Sequence, residues 1–142
     1  MGCFCSREII DFDYLQPLVL RTHQDSIIYS GTTERGRLQT LGNAEIALTE
    51  DCLYSQVTGT GCCGDQGVLR IPVLSVIGIR QQSYFNRRYR TDYPHMVLTY
   101  IVRDEHGKHE YQVGWQMNEV TFNQWKDAIL RIQNRYPPSE LG

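Results

Sequence analysis

The sequence contains few lysines and no excess of positive charge. Of its 142 residues, 14 are basic and 16 are acidic, so the formal net charge is −2, and only Lys108 and Lys126 are lysines. Proteins that bind nucleic acids non-specifically gain most of that affinity by neutralising phosphates, and they are usually strongly basic. The composition argues against a general nucleic-acid binder, and we expect no nucleic acid among the partners.

Long hydrophobic runs are also missing, since no apolar segment approaches the length of a signal peptide or a membrane-spanning helix. The interior cysteines, Cys52, Cys62 and Cys63, are odd in number and lack the spacing of a disulfide framework. This pattern is typical of reduced thiols in the cytosol. A chain of this length is expected to form one domain.

Motifs for catalysis, cofactors and metals are absent too. The histidines are scattered, and the two that lie close together, His106 and His109, fall on the tip of a predicted hairpin. The glycine-rich segment 58–67 is not followed by Gly-Lys-Ser/Thr and does not match a phosphate-binding loop. No serine in an elbow motif and no Cys-His pairing is visible. We predict a non-enzymatic protein with no catalytic residue, no metal and no cofactor.

The chain begins with a short segment that matches a lipid anchor. Removal of Met1 would leave Gly2 at the N-terminus with Ser6 in the position that N-myristoylation favours, and Cys3 and Cys5 lie beside it. A single myristoyl chain gives only marginal membrane binding, so stable anchoring needs a second signal. The pattern predicts myristate on Gly2 and palmitate on Cys3 and Cys5.

The residues that follow this segment cannot supply the second signal electrostatically. Arg7 is the only nearby cation, whereas Glu8, Asp11 and Asp13 are acidic, so an anionic leaflet offers no net attraction. We therefore expect a peripheral protein held by acyl chains at the cytoplasmic face of the plasma membrane or another endomembrane.

The hydrophobic pattern divides the chain into a lipid-anchor motif and irregular tether over residues 1–25, a domain over residues 26–137 and a short tail over residues 138–142. Within the domain, apolar residues alternate with polar ones in short runs bounded by turn residues, which is typical of β-strands. The predicted strands cover residues 26–30, 44–49, 52–57, 68–80 (split or bent at Pro72), 96–103 and 110–116.

A helix is predicted at the end of the domain. Thr121 and Gln124 match a capping box, with Val120 and Trp125 as the surrounding hydrophobic staple. An apolar stripe with helical spacing follows and should pack on the sheet. The stripe consists of Phe122, Trp125, Ile129, Ile132 and Tyr136.

This order of elements resembles the pleckstrin-homology (PH) superfold, including its GRAM and phosphotyrosine-binding (PTB) branches. The residues that carry the resemblance are the 44–54 hairpin (AEIALTEDCLY), the 71–77 segment (IPVLSVI) and the helix with Phe122 and Trp125. The resemblance implies a mainly β fold, a seven-stranded antiparallel barrel or sandwich that is capped by one C-terminal amphipathic helix. It also implies a binding module for a lipid headgroup, a phosphotyrosine or an acidic peptide.

One cluster of basic and aromatic residues stands out in a chain that is otherwise slightly acidic. Residues 80–95 contain Arg80, Arg87, Arg88 and Arg90 together with several aromatic residues, and arginine binds phosphate through paired hydrogen bonds. On a PH-like frame this loop lies near the loop that carries Arg35 and Arg37. We interpret these six arginines as candidate headgroup- or phospho-ligand-binding residues, and a merely solvated loop is the alternative.

Two functions remain open from the sequence. The first is a lipid-anchored adaptor or scaffold whose PH-like domain recruits a protein partner to the membrane. The second is a module that binds anionic lipid or phosphoinositide headgroups through the arginine-rich loop. Net acidity and the scarcity of lysine favour the protein partner.

Overall fold

The computed structural model describes residues 11–22, 27–35, 39–58, 67–89, 91 and 93–135. These residues form ten strands and one α-helix, with two short 3₁₀ turns at Phe12–Tyr14 and Val73–Ser75. The strands are β1 (Leu18–Thr22), β2 (Ile28–Thr32), β3 (Gly42–Thr49), β4 (Cys52–Val57), β5 (Leu69–Pro72), β6 (Val76–Gln82), β7 (Tyr84–Phe85), β8 (Arg88–Tyr89), β9 (His95–Asp104) and β10 (Gly107–Gln116). Helix α1 covers Glu119–Gln133.

Eight strands form one open antiparallel sheet. Its order is β5-β4-β3-β2-β10-β9-β6, and β1 pairs with β3 beside this path. Strand β3 is shared, because its first residues pair with β2 and its last residues pair with β1. Strands β7 and β8 pair only with each other and form a small separate hairpin. The protein is therefore mainly β, with a single C-terminal helix in the part of the chain that the structure describes.

Local sequence explains the two long hairpins and the bend between them. Gly107 has a φ of 113° at the turn between β9 and β10, a conformation that glycine adopts without strain. Pro72 is the last residue of β5, where the N–H that proline lacks is not needed to continue the strand pairing. A 3₁₀ turn then leads into β6. The predicted hairpins and the predicted split at Pro72 are confirmed.

One contiguous core joins the sheet and the helix, so the sheet must fold over around it. The indole Nε1 of Trp115 donates a hydrogen bond of 3.0 Å to the Ser55 hydroxyl inside this core. Such pairing offsets the cost of burying the polar end of the ring. The largest buried side chains are Trp115, Trp125, Tyr29, Ile27, Ile46, Leu48, Leu53, Ile71, Met96, Leu98, Met117 and Ile129.

Helix α1 packs on the sheet through the predicted stripe, since Phe122, Trp125, Ile129 and Ile132 are all buried. Tyr136 lies outside the described residues. The indole Nε1 of Trp125 donates to the Thr22 hydroxyl at 2.8 Å and so links the helix to β1.

The capping prediction for the helix is wrong in its details. The N-cap is Asn118, whose side-chain oxygen accepts a hydrogen bond of 2.7 Å from the backbone N–H of Thr121. Val120 is 69 % exposed and forms no staple. Asparagine caps a helix as well as threonine does, and the helix therefore begins before the predicted box.

The predicted irregular tether is wrong for the stretch that the structure describes, because residues 18–22 form β1 and Phe12 is buried. The folded part therefore begins before the predicted boundary at residue 26. Leu18 and Val19 are both partly exposed, so this strand lacks the strict alternation that identifies a half-buried strand in sequence.

The segment 81–95, predicted as a loop, contains the β7–β8 hairpin. Its strands have only two residues each, and its turn is Asn86-Arg87 rather than Asn-Gly. Both properties hide a hairpin from sequence patterns.

Candidate functional site

A cavity of about 440 Å³ lies between the loop that follows β2 and the β7–β8 hairpin. We call it the arginine cavity. Its lining residues from the β2 side are Thr32, Thr33, Arg35, Gln39 and Leu41, and those from the hairpin are Asn86, Arg87 and Arg88. Three arginines from two separate segments therefore face one space.

The β2 side of the arginine cavity is held by side-chain hydrogen bonds to the backbone. Gln39 accepts from the Thr32 N–H at 2.8 Å and donates to the Thr32 carbonyl at 3.0 Å, so its amide imitates a paired strand. Arg35 donates from Nη2 to the carbonyl of Val68 at 2.6 Å. This bond fixes one part of the guanidinium, which has four further N–H donors.

Tyr100 fastens the same loop from inside the core. Its hydroxyl lies 2.6 Å from the Thr32 hydroxyl and donates to the Glu34 carboxylate at 2.8 Å. Burial is the main reason that the pKa of Tyr100 is raised, because desolvation disfavours the phenolate. The phenol is therefore a stable hydrogen-bond donor to the residue that precedes Arg35.

The β7–β8 hairpin is clamped onto the outer face of the sheet. Phe85 is buried directly over Gly114, where a Cβ would lie only 2.6 Å from the ring. Asn86 donates from Nδ2 to the Ser30 carbonyl at 2.7 Å. These contacts position the hairpin relative to β2, and therefore position Arg87 and Arg88 relative to Arg35.

A buried histidine provides a further clamp. His95 Nε2 lies 3.2 Å from the carbonyl of Arg88, and Nδ1 lies 3.1 Å from the Ser30 hydroxyl. A carbonyl can only accept, so Nε2 carries the hydrogen and Nδ1 accepts from Ser30 in the neutral ring. The ring of Phe85 lies against His95 at a centroid distance of 6.0 Å. The backbone of Arg88 is thus tied to the sheet.

The turn of the hairpin has an unusual backbone. Asn86 and Arg87 have φ values of 51° and 67°, as a type I′ turn requires at both central positions. Asparagine tolerates this region, but for an ordinary L-residue it costs roughly 1–2 kcal/mol relative to the right-handed form. An arginine stands where glycine would be the least strained residue, and such strain concentrates at functional sites.

The arginine cavity is lined by three positively charged side chains. Within the described residues, no carboxylate forms an ion pair with Arg35, Arg87 or Arg88, and the two hairpin arginines are exposed. By contrast, Arg21 pairs with Asp13 and Glu45 elsewhere on the domain. A bound anion would accept charge-assisted hydrogen bonds from these side chains.

The structure brings together some of the predicted site residues but not all. Arg35, Arg87 and Arg88 line the arginine cavity, whereas Arg80 projects from β6 opposite Val97 and does not line it. Among the other predicted residues, Gly2, Cys3, Cys5, Arg37 and Arg90 lie outside the described part of the chain. The lipidation prediction therefore stays a prediction.

Sequence reasoning missed the polar residues that shape the site, above all Gln39 and Asn86. Their roles depend on backbone partners on β2, which no local pattern reveals. A weak signal existed for Asn86, since asparagine is common at the first position of a type I′ turn.

Comparison with known proteins adds no family to this description. No family model matches the chain, and no curated protein matches it significantly. Among the described residues, no group of three His, Cys, Asp or Glu side chains could hold a metal ion, and no helix there is long and apolar enough to cross a membrane.

Proposed function

We propose that this chain is a non-enzymatic peripheral membrane protein whose PH-like domain binds an anionic ligand in the arginine cavity. The PH-like assignment is supported by the seven-strand antiparallel path that folds around a C-terminal amphipathic helix. Acyl chains on Gly2, Cys3 and Cys5 hold the domain at the cytoplasmic face of a membrane in this proposal.

The observation that carries the binding proposal is the convergence of Arg35, Arg87 and Arg88 on one cavity. Arg35 is separated from the two hairpin arginines by about fifty positions in sequence, and several independent hydrogen bonds hold both walls of the cavity. A solvated loop would need neither the clamps nor the strained turn at Arg87. The geometry thus favours the anionic-ligand function over the protein-recruiting function that composition alone favours.

The ligand chemistry that fits is a phosphate-bearing group. Guanidinium groups recognise phosphate oxygens through parallel hydrogen bonds, and a cavity of about 440 Å³ lies within the range of small-molecule sites. A phosphorylated lipid headgroup is consistent with the proposed anchor. The acyl chains would hold the domain at the bilayer and so raise the concentration of headgroups around the cavity. A soluble phosphate ester shares the same chemistry.

The experiment compares binding of the full chain, produced without acyl groups, to vesicles of phosphatidylcholine with and without phosphoinositide. Charge-assisted hydrogen bonds are each worth about 1.5–3 kcal/mol, so Arg87→Glu or Arg88→Glu should weaken binding by about tenfold or more. Binding should also fall with added salt. Arg131→Glu is the matched control, because Arg131 is also exposed but lies in the last turn of α1.

Three outcomes separate the possibilities. Loss of vesicle binding in Arg87→Glu and Arg88→Glu, but not in Arg131→Glu, supports the proposal. Competition by a soluble inositol phosphate shows whether the free phosphate ester is a ligand as well. Equal loss in Arg131→Glu would indicate diffuse charge attraction instead. No binding of the parent protein to any vesicle or phosphate ester would refute the anion site.

The anchor has its own test in cells. Gly2→Ala should abolish membrane localisation, whereas Cys3→Ser with Cys5→Ser should leave weak and reversible binding, because one acyl chain is a marginal anchor. A wild-type distribution of both variants would refute the anchor without affecting the cavity.

A second candidate, the protein-recruiting adaptor, is favoured by the edge of the sheet at β6. This strand pairs only with β9 among the described strands. Ile77 on the strand and Leu74 just before it are both exposed. A second cavity of about 390 Å³, lined by Leu74, Ser75, Ile101 and Arg103, adjoins this edge. An extended peptide could add to such an edge, and Ile77→Glu would then reduce its capture without changing vesicle binding.

A further inference from the structure

The β7–β8 hairpin exposes two tyrosines on the face that does not pack against the sheet. Tyr84 pairs with Tyr89 across the hairpin, and Phe85 pairs with Arg88. Successive side chains of a strand point to opposite faces, so the two tyrosines share the face opposite to that of Phe85. Phe85 is only 5 % exposed, whereas Tyr84 is 56 % and Tyr89 is 69 % exposed. We call Tyr84 and Tyr89 the tyrosine pair.

The contacts that hold the hairpin in place do not involve the tyrosine side chains. The attachment to the sheet comes from the Phe85 ring over Gly114, from the side-chain amide of Asn86 and from the bond between His95 and the backbone of Arg88. The tyrosine pair therefore presents two aromatic rings to solvent at a fixed position. Exposed tyrosine beside arginine is typical of an interaction surface rather than of an inert one.

The residues next to the tyrosine pair are cationic. Arg87 at the turn and Arg88 in β8 are exposed and line the arginine cavity, and residues 80–89 contain no acidic residue. Tyr89 follows Arg88 directly, so their Cα atoms are about 3.8 Å apart. Tyrosine concentrates at the membrane–water interface, where the ring meets the acyl chains and the hydroxyl stays hydrated. The surface is thus complementary to a layer of phosphates above an apolar medium.

The size of the hairpin also matches the interface of a bilayer. Each strand has only two residues, so the tyrosine pair and the turn are separated by about 7 Å along the hairpin. The headgroup layer on each side of a bilayer is roughly 5–8 Å thick. The tyrosine pair and the hairpin arginines can therefore contact the same leaflet.

We infer that the tyrosine pair enters the membrane interface when the arginine cavity binds a phospholipid headgroup. This inference rests on the proposed anion binding and makes it more specific, because it selects a lipid in a bilayer over a free phosphate ester. The arginines recognise the phosphate, and the rings add an apolar contact that a soluble ester does not offer. A headgroup in a bilayer is therefore bound more tightly than the same headgroup in solution.

Tryptophan placed in the hairpin tests whether this surface reaches the lipid. Tyr84→Trp and Tyr89→Trp are made in the full chain without acyl groups. The vesicles contain phosphatidylcholine, phosphoinositide and lipids brominated near the headgroup end of the acyl chains. The native Trp115 and Trp125 are both buried, so bromine should quench only an added tryptophan that enters the interface. Quenching at positions 84 and 89 should be several-fold stronger than in Arg131→Trp, the control at an exposed position in the last turn of α1.

A binding measurement separates the tyrosine pair from the arginine cavity. Tyr84→Ser with Tyr89→Ser should weaken vesicle binding by about three- to tenfold, since less apolar surface leaves water. The affinity for a soluble inositol phosphate should stay close to that of the parent. Tyr84→Phe with Tyr89→Phe keeps both rings and should retain vesicle binding. Tyr14→Ser removes a tyrosine that is 82 % exposed elsewhere and should bind like the parent.

Two results would overturn the inference and leave the arginine cavity intact. The first is a protein that binds the vesicles but shows no more quenching at positions 84 and 89 than at position 131. The second is a parent protein that binds inositol phosphate but not vesicles, because the free phosphate ester would then be the ligand.

The serine variants provide a further check. If Tyr84→Ser with Tyr89→Ser loses vesicle binding and inositol phosphate binding to the same extent, the tyrosines act on the hairpin fold and the inference is wrong. It is also wrong if this variant binds vesicles like the parent. A parent protein that binds neither vesicles nor inositol phosphate would refute the proposed function together with this inference.

Discussion

Replacing Arg87 with glycine should separate the stability of the domain from its ligand binding. Arg87 has a φ of 67° at the second central position of the hairpin turn. Removing the side chain relieves about 1–2 kcal/mol of left-handed strain. Glycine also increases the freedom of the unfolded chain, which costs about 0.5–1 kcal/mol. Arg87→Gly should therefore leave the domain as stable as the parent or about 0.5–1 kcal/mol more stable.

The adjacent residue gives a matched comparison. Arg88 lies in β8 with an extended backbone, so Arg88→Gly gains no strain relief and should lose about 0.5–1 kcal/mol. Both substitutions remove one arginine from the arginine cavity, and both should weaken binding to phosphoinositide vesicles. The two variants are thus expected to agree in their weakened binding, whereas only Arg88→Gly should lose stability.

Urea denaturation at equilibrium measures the stability and vesicle sedimentation measures the binding. A difference of 1 kcal/mol corresponds to about 3–4 °C in Tm for a domain of this size, so thermal unfolding gives an independent value. If Arg87→Gly is destabilised as much as Arg88→Gly, the strain argument at the turn is wrong. If Arg87→Gly binds vesicles like the parent, Arg87 is not a ligand residue.

Three further outcomes follow from the packing. Gly114→Ala places a Cβ 2.6 Å from the Phe85 ring and should destabilise the domain by about 1–3 kcal/mol in urea. In a Phe85→Ala background the same substitution should cause little further loss, which checks the mechanism. Trp125→Phe removes the hydrogen bond to Thr22 and should cost about 1 kcal/mol by the same assay. The pKa of the Tyr100 phenol is raised in the folded state. The protonated phenol therefore stabilises the fold fully at pH values below the unfolded pKa of about 10. This stabilisation is lost as the pH rises from there through the folded pKa. Unfolding titrations above pH 9 should show this loss in the parent and a flatter profile in Tyr100→Phe.

Much of the fold could be predicted from sequence because the relevant signals are local. The alternation around Ile46, the bend at Pro72, the turn at Gly107 and the helical stripe through Trp125 each act within a few residues. Strand β1 escaped prediction because it is half exposed and is stabilised by pairing with β3, which is distant in sequence. The N-cap at Asn118 was missed because Thr121 offered an equally good local pattern.

The candidate site could be predicted only in outline. Composition grouped the arginines near residue 88, and the resemblance to the PH superfold suggested a second contribution from the loop that carries Arg35 and Arg37. Which arginines share the cavity depends on contacts across the fold: Asn86 to Ser30, His95 to Arg88 and Phe85 over Gly114. Arg80 illustrates the limit, since it belongs to the same cluster in sequence but does not line the cavity.

The sharing of β3 has a consequence for folding. Its first residues pair with β2, its last residues pair with β1, and β4 pairs along its other edge. The strands on either side of β3 therefore cannot separate without breaking backbone hydrogen bonds to this strand. We expect its amides, those of Ile46 and Leu48 in particular, to exchange with deuterium only through global unfolding. Because β2 also pairs with β10 from the other end of the chain, this central ladder forms only after a long loop has closed. Folding should accordingly be slow and all-or-none rather than stepwise.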